Sequence, residues 1–176
     1  MYITNIEIYF IKIIGVYIKK ICKNIKLVLS DVDGVLTDGG FYYSEKGEIM
    51  KKFYVRDGMG ITLLRKKGIP TIIITKEKTK IVKAWCKKMK IDKVYDGVLN
   101  KEKILEKVCK IYDLNSKQVA YIGDDVNDVG LLKKVGLSAA PSDGSKEVKK
   151  ISHYICKNNA GKGAFRELVD LILNNS

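Results

Sequence analysis

The architecture of this chain is organised around residues 26–37, which read Lys-Leu-Val-Leu-Ser-Asp-Val-Asp-Gly-Val-Leu-Thr. The apolar, β-branched run of residues 25–29 is typical of a strand buried in a parallel sheet. It leads into two carboxylates, Asp31 and Asp33, and then Gly34. Ligands bind at the carboxyl ends of strands in open α/β sheets, so the sequence predicts a functional site at this point.

The pattern Asp-x-Asp-Gly has two other interpretations, a plain turn and the first half of a calcium-binding loop. A calcium loop needs further oxygen ligands at fixed offsets and a terminal Glu. Val35 and Leu36 stand at those offsets, so the calcium interpretation fails.

Predicted strands and helices alternate along the rest of the chain. Apolar β-rich runs predict strands at residues 71–74, 94–96, 118–122, 137–140 and 154–156. Apolar residues at helical spacing predict helices at residues 77–89, 100–112, 131–135, 146–151 and 164–173. This alternation predicts an α/β fold, a Rossmann-like doubly wound parallel sheet with helices on both faces.

A β-hairpin is predicted directly after the two carboxylates. Two β-rich runs, residues 39–44 and 48–55, flank the turn signal Glu45-Lys46-Gly47. Asp57 then stands where it can cap a helix that continues to Gly68, which is a good C-terminal stop.

Composition limits the classes of function. The four cysteines are scattered and form no Cys-x-x-Cys pair, which predicts reduced thiols in a cytosolic protein and not a zinc site. His153 is the only histidine, so we do not expect a Ser-His-Asp hydrolase. We expect a structural role for His153. The net charge of +13 rests mostly on lysine, since only three of the 33 basic residues are arginine. Nucleic-acid sites favour Arg forks, so we expect solvated lysine-rich helix faces and keep a nucleic-acid binder as a minor alternative.

The carboxylate stretch also carries a family resemblance. Asp31-Val32-Asp33-Gly34-Val35-Leu36-Thr37 is similar to the first motif of the haloacid dehalogenase phosphatase superfamily, Asp-x-Asp-x-(Val/Thr). Asp38-Gly39-Gly40 and Val55-Arg56-Asp57-Gly58 narrow the resemblance to capless members that act on phosphorylated ulosonic acids, the 3-deoxy-D-manno-octulosonate 8-phosphate phosphatase family. The resemblance extends from about residue 25 to the C-terminus.

Members of that family often carry a helix before the first strand. Residues 1–24 are similar to it by position, so we expect a helical extension followed by a phosphatase domain of residues 25–176. Glu7 and several lysines interrupt its apolar residues, so no run approaches the ~20 residues needed to cross a bilayer. The pattern of a signal peptide is not present. Contact with a membrane surface remains the alternative for this segment.

The resemblance implies a reaction, the hydrolysis of a phosphate monoester. Polar residues that follow later strands match the remaining superfamily motifs in order, namely Thr75, Lys101, Asp124 and Asp128. Asp31 would be the nucleophile that forms an aspartyl phosphate, and Asp33 the general acid and base. Thr75 and Lys101 would bind the phosphoryl oxygens, with Lys101 also offsetting charge in the transition state.

Four carboxylates in one site would repel one another unless a cation lies among them. Hard oxygen ligands and a phosphate substrate point to Mg²⁺. We expect Asp31, the backbone carbonyl of Asp33 and Asp124 to hold it, with Asp128 as a further ligand or as a partner of the ligands.

The resemblance also implies how a phosphorylated sugar acid is bound. Gly34 lets backbone amides approach the phosphoryl oxygens. Arg56 belongs to the family pattern, and residues 160–167 resemble the family's Gly-Gly-Arg-Gly-Ala tail, which reaches toward a neighbouring subunit's site. We therefore expect a homotetramer packed through the hairpin, which stands where larger relatives have a cap domain. Lys162 and Arg166 are expected near an adjoining active site.

Two positions depart from the octulosonate pattern and leave a second substrate open. Lys162 replaces the usual Arg, and Lys76 and Glu77 stand where octulosonate enzymes have Gly-Arg. A Thr-x-Glu pattern is closer to relatives that act on nonulosonate 9-phosphates such as N-acylneuraminate 9-phosphate, whereas Arg56 favours the octulosonate enzymes. We expect 3-deoxy-D-manno-octulosonate 8-phosphate as the substrate. Arg56 and Lys76 would attract the distal carboxylate, and Glu77 would accept hydrogen bonds from sugar hydroxyls or an N-acyl group.

A different class of function is a non-catalytic tetramerisation module, related to the C-terminal domain of acylneuraminate cytidylyltransferases. Degenerate copies of that kind usually lose the catalytic acids. All four acids are present here, which favours an enzyme.

Overall fold

Six parallel strands form the sheet on which the rest of the protein is built. The computed structural model describes the backbone of residues 5–175 and the side chains of residues 15–175. The strands are β1 (Leu27–Ser30), β2 (Tyr42–Ser44), β3 (Gly47–Met50), β4 (Thr71–Ile74), β5 (Lys93–Tyr95), β6 (Val119–Ile122), β7 (Leu137–Ala140) and β8 (Tyr154–Ile155). The α-helices are α1 (Asn5–Asn24), α2 (Val55–Lys66), α3 (Lys80–Met89), α4 (Glu102–Tyr112), α5 (Val129–Leu132), α6 (Lys146–Ile151) and α7 (Ala164–Leu173).

The order of strands across the sheet is β5-β4-β1-β6-β7-β8. The chain first builds outward from β1 through β4 to β5, and then returns to the other side of β1 and builds outward through β6 to β8. The predicted doubly wound parallel sheet is therefore confirmed. The direction reverses between β1 and β6, which is where ligands bind in sheets of this kind.

Alternate residues of each central strand bury opposite faces of the sheet. Val28 packs into a cluster with residues of α1, α2, α3 and α7. Leu27 and Leu29 pack on the other face, with residues of α4, α5 and α6. Because both faces are covered, the strands carry the continuous apolar runs from which they were predicted.

The predicted hairpin is present as β2 and β3, although both strands are shorter than expected. A register shift between Tyr42 and Tyr43 interrupts their pairing. At the base of the hairpin, Thr37 and Phe53 form an isolated antiparallel bridge. The hairpin therefore leaves the sheet domain directly beside the turn that carries Asp33.

The prediction that Asp57 caps the helix after the hairpin was wrong. That helix, α2, starts at Val55, and Asp57 lies inside its first turn. The buried Asp57 carboxylate instead accepts the backbone N–H of Arg166 at 2.8 Å, at the start of α7. Burial raises the pKa of Asp57 to about 6, although this hydrogen bond opposes the shift. Asp57 thus joins two helices that are distant in sequence.

The N-terminal segment forms helix α1, and its described part packs on the domain. Ile18 and Cys22 are buried in the same cluster as α7 residues. The apolar residues Ile6, Ile8, Phe10, Ile13 and Ile14 lie outside the described side chains, so contact with a membrane surface stays a prediction. Within residues 5–175, no helix has the length and hydropathy that a membrane crossing requires. The boundary between extension and domain at residues 24 and 25 also stays a prediction.

Candidate active site

The predicted site residues lie where three neighbouring strands end. Asp31 directly follows β1, Thr75 follows β4 and Asp124 comes two residues after β6. Because β4 and β6 flank β1 in parallel, their carboxyl ends meet at one edge of the sheet. Gly34 lets the turn after β1 lie close to the Asp124 carboxylate. Its φ is +81°, and a Cβ at this position would collide with that carboxylate.

Three carboxylates lie close together at this edge. Asp31, Asp124 and Asp128 each offer a carboxylate oxygen, and these oxygens lie within 4.8 Å of one another. The Lys101 side chain is only 1% exposed, and its Nζ lies 2.6 Å from Asp31 Oδ2 and 2.6 Å from Asp128 Oδ1. One buried ammonium group therefore pairs with two of these acids, while the half-buried Asp124 lies close to both.

This imbalance of charge shifts the protonation of the acids. Burial raises the pKa of Asp31, and Asp128 adds to the shift while Lys101 opposes it. Burial and the neighbouring Asp128 raise the pKa of Asp124 to about 7. The two carboxyls would thus hold protons near neutral pH unless more positive charge is supplied. A divalent cation would supply it, and a set of hard oxygen donors fits Mg²⁺.

Asp128 is fixed by partners that sequence reasoning missed in part. The buried Tyr121 hydroxyl donates to Asp128 Oδ1 at 2.6 Å, and the backbone N–H of Asp124 donates to Asp128 Oδ2 at 2.9 Å. Asp128 therefore orients both the loop after β6 and the Lys101 side chain. Tyr121 gave no signal in the sequence because a large apolar ring is expected within a buried strand.

The Asp33 carboxylate has two unlike oxygens. Oδ1 accepts from Lys51 Nζ at 2.6 Å and from the Thr37 hydroxyl at 3.1 Å. Oδ2 is buried and has no hydrogen-bond partner among the described residues. Burial alone would lower the pKa of Lys51, but its hydrogen bonds to Asp33 and Glu48 outweigh that effect and the pKa is raised. Sequence reasoning missed Lys51 because it is one lysine among thirty and precedes another, Lys52.

A cavity of about 220 Å³ opens above the acids. Its lining brings together most of the predicted site residues, namely Asp31, Asp33, Gly34, Thr75, Lys76, Glu77 and Asp124. Phe41 of the hairpin lines it as well. Lys101 and Asp128 lie buried beneath this surface, where they meet Asp31 from below.

The other predicted substrate-binding residues lie elsewhere on the chain. Arg56, Lys162 and Arg166 line a second cavity at the start of α7, which none of the four acids lines. Arg166 Nε is paired with Asp170 Oδ1 at 2.7 Å, whereas Lys162 is exposed. Within one chain, therefore, the structure does not bring these three cations to the acids.

Comparison with known proteins gives consistent matches. Residues 70–168 match the haloacid dehalogenase-like hydrolase family. The 3-deoxy-D-manno-octulosonate 8-phosphate phosphatase KdsC of Haemophilus influenzae is 38% identical over 151 residues, which cover 86% of this chain and 84% of that protein. The cobalt-bound structure of the H. influenzae deoxy-D-mannose-octulosonate 8-phosphate phosphatase YrbI superposes with a TM-score of 0.86 at 37% identity, covering 88% of this chain and 91% of that one.

A second solved structure carries ligands. The 3-deoxy-D-manno-octulosonate 8-phosphate phosphatase of Moraxella catarrhalis, in complex with a magnesium ion, a phosphate ion and KDO, has a TM-score of 0.88 at 34% identity. The match covers 90% of this chain and 91% of that chain. This chain and the Moraxella catarrhalis enzyme are thus similar in fold and in sequence over most of the length of both.

The carboxylate cluster predicts metal binding that depends on Asp124. Asp124→Asn removes the charge of one of these three carboxylates. Loss of a residue that only hydrogen-bonds to a metal ligand already weakens metal binding by ~10-fold or more, so we expect Mg²⁺ to bind at least ~10-fold more weakly to this variant. Isothermal titration calorimetry with MgCl₂ measures this. Asp125→Asn is the control, because Asp125 lines the same cavity but lies outside the cluster. Equal affinities for the two variants would remove Asp124 from the ligand set.

Proposed function

The chain belongs to the haloacid dehalogenase-like hydrolases and, within them, to the 3-deoxy-D-manno-octulosonate 8-phosphate phosphatase family, and from that premise we propose its reaction. It is a phosphoric monoester hydrolase that converts 3-deoxy-D-manno-octulosonate 8-phosphate into the free sugar acid and inorganic phosphate. The observation that carries this proposal is the cavity at the carboxyl edge of the sheet, which Asp31, Asp33 and Thr75 line together. The related Moraxella catarrhalis enzyme, with magnesium, phosphate and KDO, supports the same substrate.

In the first step a carboxylate oxygen of Asp31 attacks phosphorus. The bond between phosphorus and the sugar oxygen breaks, and Asp33 delivers a proton to that oxygen as it leaves. Asp31 is held for this attack because Val32 N–H donates to its Oδ1 at 2.7 Å and Lys101 to its Oδ2 at 2.6 Å. The products of this step are the free sugar acid and a phosphorylated Asp31.

In the second step water attacks phosphorus and gives a proton to Asp33. The bond between phosphorus and Asp31 breaks, inorganic phosphate leaves, and Asp31 returns to a carboxylate while Asp33 returns to an acid. The net reaction consumes one water molecule. Asp33 therefore acts as acid in one step and as base in the next, on the same face of the cavity.

Thr75 and Lys101 assist both steps from opposite sides. Thr75 lines the cavity, and its Oγ1 accepts the backbone N–H of Glu77 at 3.2 Å, which leaves the hydroxyl proton for a phosphoryl oxygen. The Lys101 ammonium contacts the nucleophile itself and offsets charge that develops around it. Asp31, Asp124 and the backbone carbonyl of Asp33 would hold Mg²⁺, which supplies positive charge to the phosphoryl group when bound.

The proposed reaction predicts that Asp31→Asn abolishes turnover, because the amide cannot act as the nucleophile. The measurement is phosphate release from 3-deoxy-D-manno-octulosonate 8-phosphate with MgCl₂, with circular dichroism to check the fold. Asp125→Asn, an adjacent acid outside the proposed machinery, should retain activity. Near-normal activity of Asp31→Asn would overturn its role as nucleophile. If the unmodified enzyme released no phosphate from any ester, the non-catalytic assembly module would be favoured.

The size and lining of the cavity support a homotetramer. At about 220 Å³ it is smaller than the ~300–1,000 Å³ of typical ligand pockets, so it suits the phosphoryl end while the sugar acid extends outward. Phe41, Tyr42 and Tyr43 of the hairpin expose aromatic surface beside it, with Tyr43 66% exposed. A neighbouring subunit packed on the hairpin would bring Lys162 and Arg166 to the sugar carboxylate. The reduced cysteines fit the cytosol as the place where this assembly works.

Mixing two impaired variants, Asp31→Asn and Lys162→Ala, tests this assembly. Subunits with Asp31→Asn keep Lys162, and subunits with Lys162→Ala keep Asp31, so a mixed tetramer contains sites with both groups intact. We expect activity to rise when the two are unfolded and refolded together, and light scattering to give four times the 19.8-kDa chain mass. A monomer at assay concentration, or no gain on mixing, would contradict a shared site.

The position of Glu77 leads to a prediction about which sugar acid the enzyme prefers. It lines the cavity beside Lys76, at the mouth from which the sugar extends. If Glu77 accepts hydrogen bonds from a longer sugar, Glu77→Arg should shift the ratio of kcat/KM toward the octulosonate 8-phosphate and away from nonulosonate 9-phosphates. Glu106→Arg, an exposed acid on α4, is the control for added charge. An unchanged ratio in Glu77→Arg would place specificity elsewhere.

A further inference from the structure

We propose that Lys51, at the foot of the hairpin, is a positioning residue for the general acid: it holds one oxygen of Asp33 so that the other faces the leaving oxygen of the ester. This inference rests on the proposed function. It assigns to the hairpin a part in the chemistry within its own chain, apart from any part in assembly.

The Lys51 side chain is fully buried, which is unusual for a lysine. Its Nζ lies 2.6 Å from Asp33 Oδ1, 2.8 Å from Glu48 Oε1 and 4.1 Å from the centre of the Phe41 ring. Three groups from two parts of the chain thus surround one ammonium group. Such an arrangement removes the freedom that a lysine has on the surface and fixes the carboxylate it contacts.

The hydrogen bonds of Asp33 give its two oxygens different tasks. Lys51 and the Thr37 hydroxyl both donate to Oδ1, so this oxygen is a poor position for a proton. Oδ2 is buried and has no partner among the described residues, in a side chain that is 17% exposed and lines the cavity with Asp31. The transferable proton therefore belongs on Oδ2. When the bond from phosphorus to the sugar oxygen breaks, that oxygen keeps the electron pair and takes the Oδ2 proton, and Asp33 becomes a carboxylate.

A purely structural role for Lys51 makes a different prediction. If Lys51 only anchored the hairpin, its loss would reduce the amount of folded protein and lower activity toward every ester alike. If it positions the acid, its loss would lower kcat/KM, which reports the first step, only for esters whose leaving group needs a proton. A sugar alkoxide needs one, whereas p-nitrophenolate leaves without one.

The experiment compares kcat/KM for the octulosonate 8-phosphate and for p-nitrophenyl phosphate. Lys51→Met keeps the length of the side chain and removes its charge. We expect it to lower kcat/KM for the sugar phosphate about 100-fold, which is the lower end of what general acid–base catalysis contributes. We expect kcat/KM for p-nitrophenyl phosphate to fall less than about threefold, because that ester needs no proton on its leaving group. Any loss of folded protein cancels, because both esters are measured on one preparation. Lys52→Met is the matched control, since the Lys52 side chain is 57% exposed and lies 3.9 Å from Asp38.

A double-mutant cycle then tests whether Lys51 acts through Asp33. Asp33→Asn alone and Asp33→Asn with Lys51→Met should lose activity toward the sugar phosphate to the same extent, because the second change has nothing left to position. Losses that multiply would overturn the inference, as would equal losses for both esters in Lys51→Met or no loss at all. An unmodified enzyme that hydrolyses neither ester would overturn the proposed function as well, so the two failures are distinguishable.

Discussion

Three carboxylates lie close together at one edge of the sheet, and the Lys101 ammonium pairs with the two that are buried, Asp31 and Asp128. It lies between Asp31 and Asp128 at 2.6 Å from each, and a buried ion pair is stable only when its remaining hydrogen bonds are satisfied. Tyr121 and the backbone N–H of Asp124 satisfy those of Asp128. The charge is still not balanced, which is why the same residues that build the site also demand a cation. Metal binding therefore follows from the packing of the sheet edge.

The candidate site residues come from several separate parts of the chain. Asp31 directly follows β1, and Asp124 and Asp128 follow β6, two strands at the centre of the sheet in which every residue is buried. Asp33, the proposed general acid, lies in the following turn, and its Oδ1 accepts from Lys51 at the foot of the hairpin. The cations Arg56, Lys162 and Arg166 line a separate cavity, which Asp31, Asp33, Asp124 and Asp128 do not line. The positions that depart from the octulosonate pattern lie in both cavities, with Lys76 and Glu77 beside the acids and Lys162 beside Arg56.

Local patterns predicted the elements whose structure depends on local forces. The apolar run before Asp31 predicted β1 because a strand covered on both faces must be apolar throughout. Thr75 was placed correctly at the cavity because its position depends only on where β4 ends. Asp57 was assigned to a helix cap and Lys51 was missed, because each meets its partner across an intervening stretch of sequence, Arg166 for Asp57 and Asp33 for Lys51. Helix α3 begins at Lys80, three residues later than predicted, since Thr79 caps it through the N–H of Ile81.

The central claim is that Asp31 takes the phosphoryl group and passes it to water in two displacements at phosphorus. The most direct test is the stereochemical course of hydrolysis, measured with a substrate whose phosphorus is made chiral by sulfur and oxygen isotopes. Each in-line displacement inverts the configuration, so two displacements predict net retention. Inversion would mean that water attacks the substrate directly, and would contradict the account in which Asp31 is the nucleophile.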